Sequence, residues 1–491
     1  MTISFNEIPS NIRTPFMFTE FDNSNAVSGA QNQPFKAVVI GQLLSTGTKA
    51  NLDLSRVTSV KQAELFYGKG SMLHEMFEAW FANNAFTEVY GLALSDLAEG
   101  VEAAGSIKFG GAPTKAGIAL FRICGYKVNV AVTTSDTPAT LATKLVTAIT
   151  ASAPCVTAVV NGVDTSKVDI TYKHKGLVGN YLDIRQGYYD DEKGLPAGLT
   201  STIVQFTGGV GNPDITTALA ILPPDHYNVF AFPYTDSSNL LALDAMLLER
   251  WGAMKMIDGM AFSAANSSHS SLGTLGDSLN TKNLSIVDSH ASMSGPHKWA
   301  SAVSGCVAFE MAIDPARPLQ TVEIKGVYAE ESKDSFTQQE RNLLLFDGIS
   351  THVRGANGEA RIERLITTYR VNALGADDIS YLNVESIYQL SYIRYDWNGY
   401  MKRKYPRHKL ADDGVRVAPG QPIMTPSLYK SEMVAKYEDW VEKGIVENIE
   451  AFKKGLIAER NMADPDRMDA IMEPDLMNQF RVGATKILFL L

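Results

Sequence analysis

Three clusters in this 491-residue chain carry side chains that could do chemistry. The first is His74-Glu75-Met-Phe-Glu78, one residue away from the helical HExxH pattern, in which two histidines grip zinc and the glutamate serves as base. The second histidine is replaced by Glu78, and Met76, Phe77 and Trp80 give the segment a core-facing side, so a packed helix is the stronger reading. The second cluster is Asp288, His290 and His297, near an expected strand end, where α/β enzymes keep their sites. An intracellular α/β hydrolase or metal enzyme would be built there. The spacing offers no third ligand and no G-x-S-x-G elbow occurs, which favours a structural or surface role. The third is Gly208-Gly-Val-Gly-Asn-Pro213, a glycine-rich turn without GxGxxG spacing or the lysine of a phosphate loop. It reads as a junction between domains. No catalytic residue, metal ligand or cofactor is expected from these patterns.

One dense basic run remains, Lys402-Arg-Lys404 with Arg407, His408 and Lys409. The chain as a whole carries a net charge of −10, which argues against nucleic acid as its main partner. In an acidic protein such a run is either a solvated face or a patch for an acidic partner surface. Cys124, Cys155 and Cys306 are few, odd in number and widely spaced, as in a reduced compartment without a disulfide framework. The first residues lack the basic flank and apolar run of a signal peptide, and no stretch is long enough to span a membrane.

The elements that must position these residues alternate between strand and helix. Ala37–Ile40, Glu88–Leu94, Asn228–Phe232, Met260–Ala264 and Leu284–Asp288 read as strands. Ser71–Asn83, Ser237–Arg250, Ser270–Leu279 and Pro296–Ile313 read as helices. That order predicts a mainly parallel sheet with helices on its faces. Between about 99 and 209 the texture changes to many β-runs, glycine turns and one helix opened by Thr137-Pro138, which reads as an inserted β-rich α+β domain. Thr337-Gln-Gln-Glu340 is a capping box opening a helix that stops at Gly348. A C-terminal α+β domain is expected from 349 to 482, with a hairpin turn at Asn357-Gly358 and a helix over Ser380–Tyr400. A second long helix is expected from Thr425-Pro426 to Arg460. Met433, Tyr437, Trp440, Val441, Ile445, Ile449, Phe452 and Leu456 make its apolar stripe, and Glu432–Lys436, Asp439–Lys443 and Glu450–Lys454 pair across its charged face. The α/β core then comprises 36–98 and 210–348.

The two ends differ from the rest. Residues 1–35 read as an extended arm: Pro15–Phe21 is one strand, and Asp22–Gln33 has a linker composition. At the other end, residues 483–491 form a second arm, with five consecutive large apolar residues, Ile487 to Leu491. Strand alternation turns Ile487, Phe489 and Leu491 one way and Leu488 and Leu490 the other, so both faces call for burial. The strand belongs either to the chain's own core or to a neighbouring subunit.

The chain resembles the tail sheath proteins of contractile phage tails, most closely the Mu-like group. The likeness rests on Pro15-Phe-Met-Phe-Thr-Glu-Phe-Asp22, Phe66-Tyr-Gly-Lys-Gly-Ser-Met-Leu73, Thr207-Gly-Gly-Val-Gly211 and Asp314-Pro-Ala-Arg-Pro-Leu319. It continues through Phe336-Thr-Gln-Gln-Glu-Arg-Asn-Leu-Leu-Leu345, Gly348-Ile-Ser350 and Tyr405-Pro-Arg-His-Lys-Leu410. The resemblance implies a structural, non-enzymatic subunit of a helical sheath of stacked six-membered rings. Such a sheath contracts to drive a tail tube through the host envelope. The implied partners are further copies of the chain, the tail tube protein, and baseplate and tail terminator proteins, with neither nucleic acid nor membrane. The implied location is the virion tail, assembled in the host cytoplasm; a non-viral contractile injection system is the alternative setting. Carried onto this chain, the resemblance makes Phe16, Phe18, Phe21 and Ile487, Leu488, Phe489, Leu490, Leu491 strand-donating residues. It turns the C-terminal domain toward the tube, with the helix over Ser427–Arg460 touching it, and makes Lys402, Arg403, Lys404, Arg407, Lys436 and Lys443 candidates for facing a partner.

Overall fold

In a computed structural model, residues 33–416 and 418–490 are described. The first-arm residues Phe16, Phe18 and Phe21, nearly all of the Asp22–Gln33 linker, and Leu491 lie outside them. The core is a nine-stranded sheet. Its order runs Glu323–Ile324, Ala360–Arg364, Ile349–Arg354, Leu284–Asp288, Met260–Ala265, Val229–Ala231, Lys36–Gln42, Glu88–Leu94, Leu54–Val57. The six strands from Ile349–Arg354 to Glu88–Leu94 are mutually parallel, and antiparallel strands close both edges. Burial on both faces explains why these strands are continuous apolar runs.

Helix Pro296–Ile313 is buried along most of its length and packs against helix Met72–Asn83 and strand Met260–Ala265. Ala300, Ser301, Ala302, Ser304, Gly305 and Ala308 keep it thin enough for close approach, and the Ser301 hydroxyl donates to the Met76 carbonyl at 2.6 Å. The capping signals act locally, as expected. Thr137 and Thr337 each complete a reciprocal capping box, and the Thr425 hydroxyl accepts from Leu428 N–H.

The region from 99 to 209 has its own apolar core and two antiparallel sheets. One orders Leu199–Thr207, Glu102–Gly111, Lys167–Lys175 and Val156–Val160; the other orders Tyr126–Val132, Gly117–Ile123 and Ile184–Gln186. The hairpin in the second turns at Cys124 and Gly125, both at positive φ. Val101 and Val210 bridge to each other, so the chain enters and leaves this region at one place, beside the glycine-rich turn.

Two expectations are corrected. The core sheet does not end at 348: Ile349–Arg354 pairs in parallel with Leu284–Asp288 and forms a hairpin with Ala360–Arg364, turning at Asn357-Gly358. The long helix to Arg460 is also broken. It runs only Pro426–Glu442; strand Val446–Glu447, helix Ile449–Gly455 and strand Ile457–Arg460 follow. Gly444 and Asn448 take positive φ at the breaks, which a continuous right-handed helix forbids. The stripe residues Met433, Tyr437, Trp440, Ile445, Phe452 and Leu456 are nevertheless buried together, against Ile393 and Trp397 of helix Val384–Lys404. That helix starts at an Asn383 cap and continues through the basic triplet.

Candidate functional site

The chemistry-bearing residues hold the body together. Ser71 caps helix Met72–Asn83, and Gly70 N–H donates to His74 Nδ1 at 3.3 Å. Glu75 is fully buried with its Oε2 3.1 Å from His297 Nε2, while Glu78 takes Lys298 at 3.5 Å and the Tyr126 hydroxyl at 2.9 Å. Burial pulls the Glu75 carboxyl upward; the His297 bond and the charges of His297 and Lys298 outweigh it and hold the group below the ordinary carboxylate range. His174, from the 99–209 region, extends the same scheme. Its Nε2 accepts from Met72 N–H at 2.9 Å and its Nδ1 lies 2.9 Å from Asp96 Oδ1. The near-zinc motif thus ties two core helices to each other and to the inserted region.

Asp288, His290 and His297 do not form one centre, because His297 is committed to Glu75. Asp288 instead accepts from His290 N–H at 2.7 Å, and the His290 ring stacks on Phe336 with centroids 4.4 Å apart. The histidine beside Asp288 is His352, whose Nδ1 is 3.0 Å from the Asp288 carbonyl and whose Nε2 is 2.8 Å from Glu330. These groups line a cavity of about 480 Å³ with Arg354 and Phe336. Burial raises the Glu330 carboxyl, but the His352 bond and charge prevail and hold it at about 2; the same partners raise His352 against its own burial. Neither His352 nor Glu330 carries a sequence signal, since their pairing is made by the fold across 22 residues. Among the described residues no three His, Cys, Asp or Glu side chains converge to hold a metal ion, and no helix is long and apolar enough to cross a membrane.

The basic candidates separate into two groups. Lys402, Arg403 and Arg407 are exposed. Lys404 binds Glu432 at 2.7 Å and stands on the hydroxyl of Tyr400. Lys436, expected on a charged outer face, is buried 2.7 Å from the equally buried Asp396, which also accepts from the Trp440 indole at 2.8 Å. A side chain so enclosed cannot face a partner. Glu432 therefore pairs with Lys404, and Lys443 reaches the Tyr392 hydroxyl at 3.2 Å.

Exposed apolar side chains are scattered over the surface, but four of them follow one another in the C-terminal segment. Ile487, Leu488, Phe489 and Leu490 are 82%, 81%, 76% and 100% exposed, and residues 477–490 form no strand. Nearby sequence supplies strands short of partners. Among the described residues Ile457–Arg460 pairs only with Met468–Ile471, and Val446–Glu447 only with Asp475–Leu476. In the first ribbon Ile457 lies directly opposite Ile471, and both are about half exposed (49% and 54%). A two-stranded ribbon with an exposed apolar pair is marginal in water and gains from a further strand.

Comparison with known proteins assigns two family domains to the chain from residue 208 onward. Residues 208–368 match the phage tail sheath protein central domain and 376–487 the phage tail sheath C-terminal domain. The gap between them falls after the Ala360–Arg364 strand, in keeping with the corrected extent of the core sheet. The Mu-like prophage FluMu tail sheath protein of Haemophilus influenzae is 38% identical over 491 residues, covering all of both chains. Among solved structures, the sheath tail protein from Desulfitobacterium hafniense aligns with a TM-score of 0.47 at 11% identity, over 94% of this chain and 100% of that one. The sheath tail protein from Listeria innocua gives 0.47 at 11% identity, over 91% and 93%.

Proposed function

Because the chain belongs to the phage tail sheath family, we propose that it is the repeating structural subunit of a contractile tail sheath, joined to its neighbours by exchanged terminal strands. The subunits polymerise around a tail tube in six-membered rings, end on baseplate and terminator proteins, and contract to drive the tube through the host envelope. The virion tail is the corresponding location. The observation that carries the strand-exchange reading is the run Ile487–Leu490, four large apolar side chains left in solvent beside ribbons that have no further strand among the described residues. Donated to the Ile457–Arg460 and Met468–Ile471 ribbon of a second copy, the run would cover the Ile457–Ile471 pair and satisfy a free ladder edge, a β-augmentation. The first arm, with Phe16, Phe18 and Phe21, is assigned the same task by the resemblance. The Asp22–Gln33 linker and Gly483 would supply the hinges, letting rigid bodies rotate while the pairing persists.

Deletion of Lys486–Leu491 tests this reading. A folded monomer with the parent melting temperature that no longer forms tubes under negative-stain microscopy is expected. Tubes of normal length from the truncated chain would refute it.

A further inference from the structure

We infer that Arg481 and Glu385 form the anchor from which the C-terminal strand is launched, and that they act as positioning residues for strand donation; the inference rests on the strand-exchange reading above. After the Asp475–Leu476 strand the chain stays on the body through a series of specific bonds. Met477 N–H donates to the Ile445 carbonyl at 3.0 Å, and Gln389 Nε2 donates to the Met477 carbonyl at 3.0 Å. Gln479 Nε2 reaches the Ala316 carbonyl at 3.4 Å, and Gln320 Nε2 donates to the Phe480 carbonyl at 3.2 Å. The series closes with Arg481, whose guanidinium lies 2.7 Å from Glu385 Oε2. Immediately beyond it Val482 is 84% exposed. From Val482 to Leu490 every residue is exposed.

Glu385 is built to receive that pair. It is fully buried in the first turn of helix Val384–Lys404, where the helix dipole favours a carboxylate, and its Oε1 accepts from Leu319 N–H at 3.1 Å. Arg364 stands in the field of both Glu385 and Arg481 and donates to the helix-capping Asn383 at 3.1 Å. Among the described residues Arg481 alone makes an ion pair with that carboxylate, and Arg364 reaches it only as a more distant charge. Loss of Arg481 leaves Glu385 the Leu319 N–H and the helix N-terminus as partners, with Arg364 as that more distant charge, so the body is weakened but keeps those contacts. What Arg481 adds is a fixed starting point for the arm. Five residues, Val482–Lys486, then separate the anchor from the apolar run, and five residues span at most roughly 16–18 Å. The receiving edge on the second copy must lie within that reach. Without the anchor, residue 481 at least joins the tether, and its ordering moves from folding of the subunit to the assembly step. Fixing even one residue costs roughly a tenfold change in an equilibrium constant.

The test compares R481Q, R481K and the Lys486–Leu491 deletion in the full chain. R481Q is expected to stay folded with a lowered melting temperature, to exchange amide hydrogens faster over 481–486, and to require at least about tenfold more protein before tubes form. R481K, which keeps the charge, should recover most of the loss. If the deletion still gives tubes, strand exchange itself is wrong. If the deletion abolishes tubes while R481Q assembles at the parent concentration with unchanged exchange, the anchor is wrong and strand exchange stands. An R481Q chain that fails to fold also overturns the inference, because Arg481 then belongs to the body and not to the arm.

Discussion

Replacing Lys436 by methionine discriminates between its two possible roles, a cation facing a partner and a buried counter-charge. The substitution keeps most of the aliphatic stem and removes only the ammonium. In the structure that ammonium is 2.7 Å from Asp396 and 3.3 Å from Asp439, and only Asp396 is buried with it. Breaking a buried pair by removing one partner costs about 3–5 kcal/mol, because the remaining charge is left without compensation. Asp396 keeps the Trp440 indole bond and still feels Lys443, so the lower end applies, about 3 kcal/mol. Amide exchange across helices Val384–Lys404 and Pro426–Glu442 reports this local opening, and about 3 kcal/mol corresponds to a roughly 150-fold acceleration. Exchange in the core sheet should be unchanged. Adding Asp396→Asn should restore most of the protection, since it removes the uncompensated charge and keeps an acceptor for the Trp440 indole. A Lys436→Met chain with parent exchange rates but weakened attachment to a tail tube would refute the buried-pair argument.

The His352–Glu330 pair fixes a pH dependence. His352 is held above its ordinary 6.5, so its contribution is complete below that value and is lost as pH rises through the raised one. Glu330, held at about 2 against an ordinary 4.5, contributes fully above 4.5 and loses that contribution as pH falls toward 2. Melting temperature should therefore be highest between about 4.5 and 6.5 as far as this pair is concerned, and His352→Gln should flatten the alkaline limb; an offset independent of pH would count against the pairing. Gly70→Ala should destabilise the contact between core and inserted region by at least about 2 kcal/mol, read from the melting temperature. Gly70 has φ +76° and an added Cβ would lie 2.0 Å from the Pro154 carbonyl oxygen, whereas Gly162→Ala, with open space around it, should be neutral.

What could be read from the residues was local or continuous. The caps at Thr137, Thr337 and Thr425 depend on residues three positions apart, and the parallel strands are apolar runs because both their faces are covered. What could not be read depends on the partner an element meets. The stripe from Met433 to Leu456 is buried as expected, and burial is the same whether the helix continues or breaks. Only Gly444, followed by the β-branched Ile445 and Val446, signalled the interruption. Lys436 sat at the right spacing for a surface pair with Glu432, but helix Val384–Lys404 brings Asp396 over it and Lys404 over Glu432. The Ile349–Arg354 strand was assigned to the wrong side of a boundary because its parallel partner lies more than sixty residues earlier. Asp288 stands at a strand end, as its position in the sequence suggested, but its burial and its imidazole neighbour His352 come from the Ile349–Arg354 strand laid beside it.

The exposed terminal run sets an energetic condition on assembly that can be tested side chain by side chain. Burying Ile487, Leu488, Phe489 and Leu490 at about 1.5–3 kcal/mol each contributes roughly 6–12 kcal/mol. Fixing the six residues from Thr485 to Leu490 at about 1–2 kcal/mol each costs roughly 6–12 kcal/mol. The two cancel, so docking is decided by ladder hydrogen bonds of about 0.5–1.5 kcal/mol each, and assembly sits near a threshold where one side chain matters. Phe489→Ala should raise the protein concentration at which tubes first appear by roughly ten- to 150-fold while leaving the monomer's melting temperature unchanged, because the ring is 76% exposed there. Leu488→Ala asks about the other face of the strand. If it has a comparable effect, the strand is covered on both sides by the receiving subunit; if it has none, the strand lies on an outer edge with Leu488 in solvent. Should neither substitution move the threshold, the run is not donated and another surface must join the subunits.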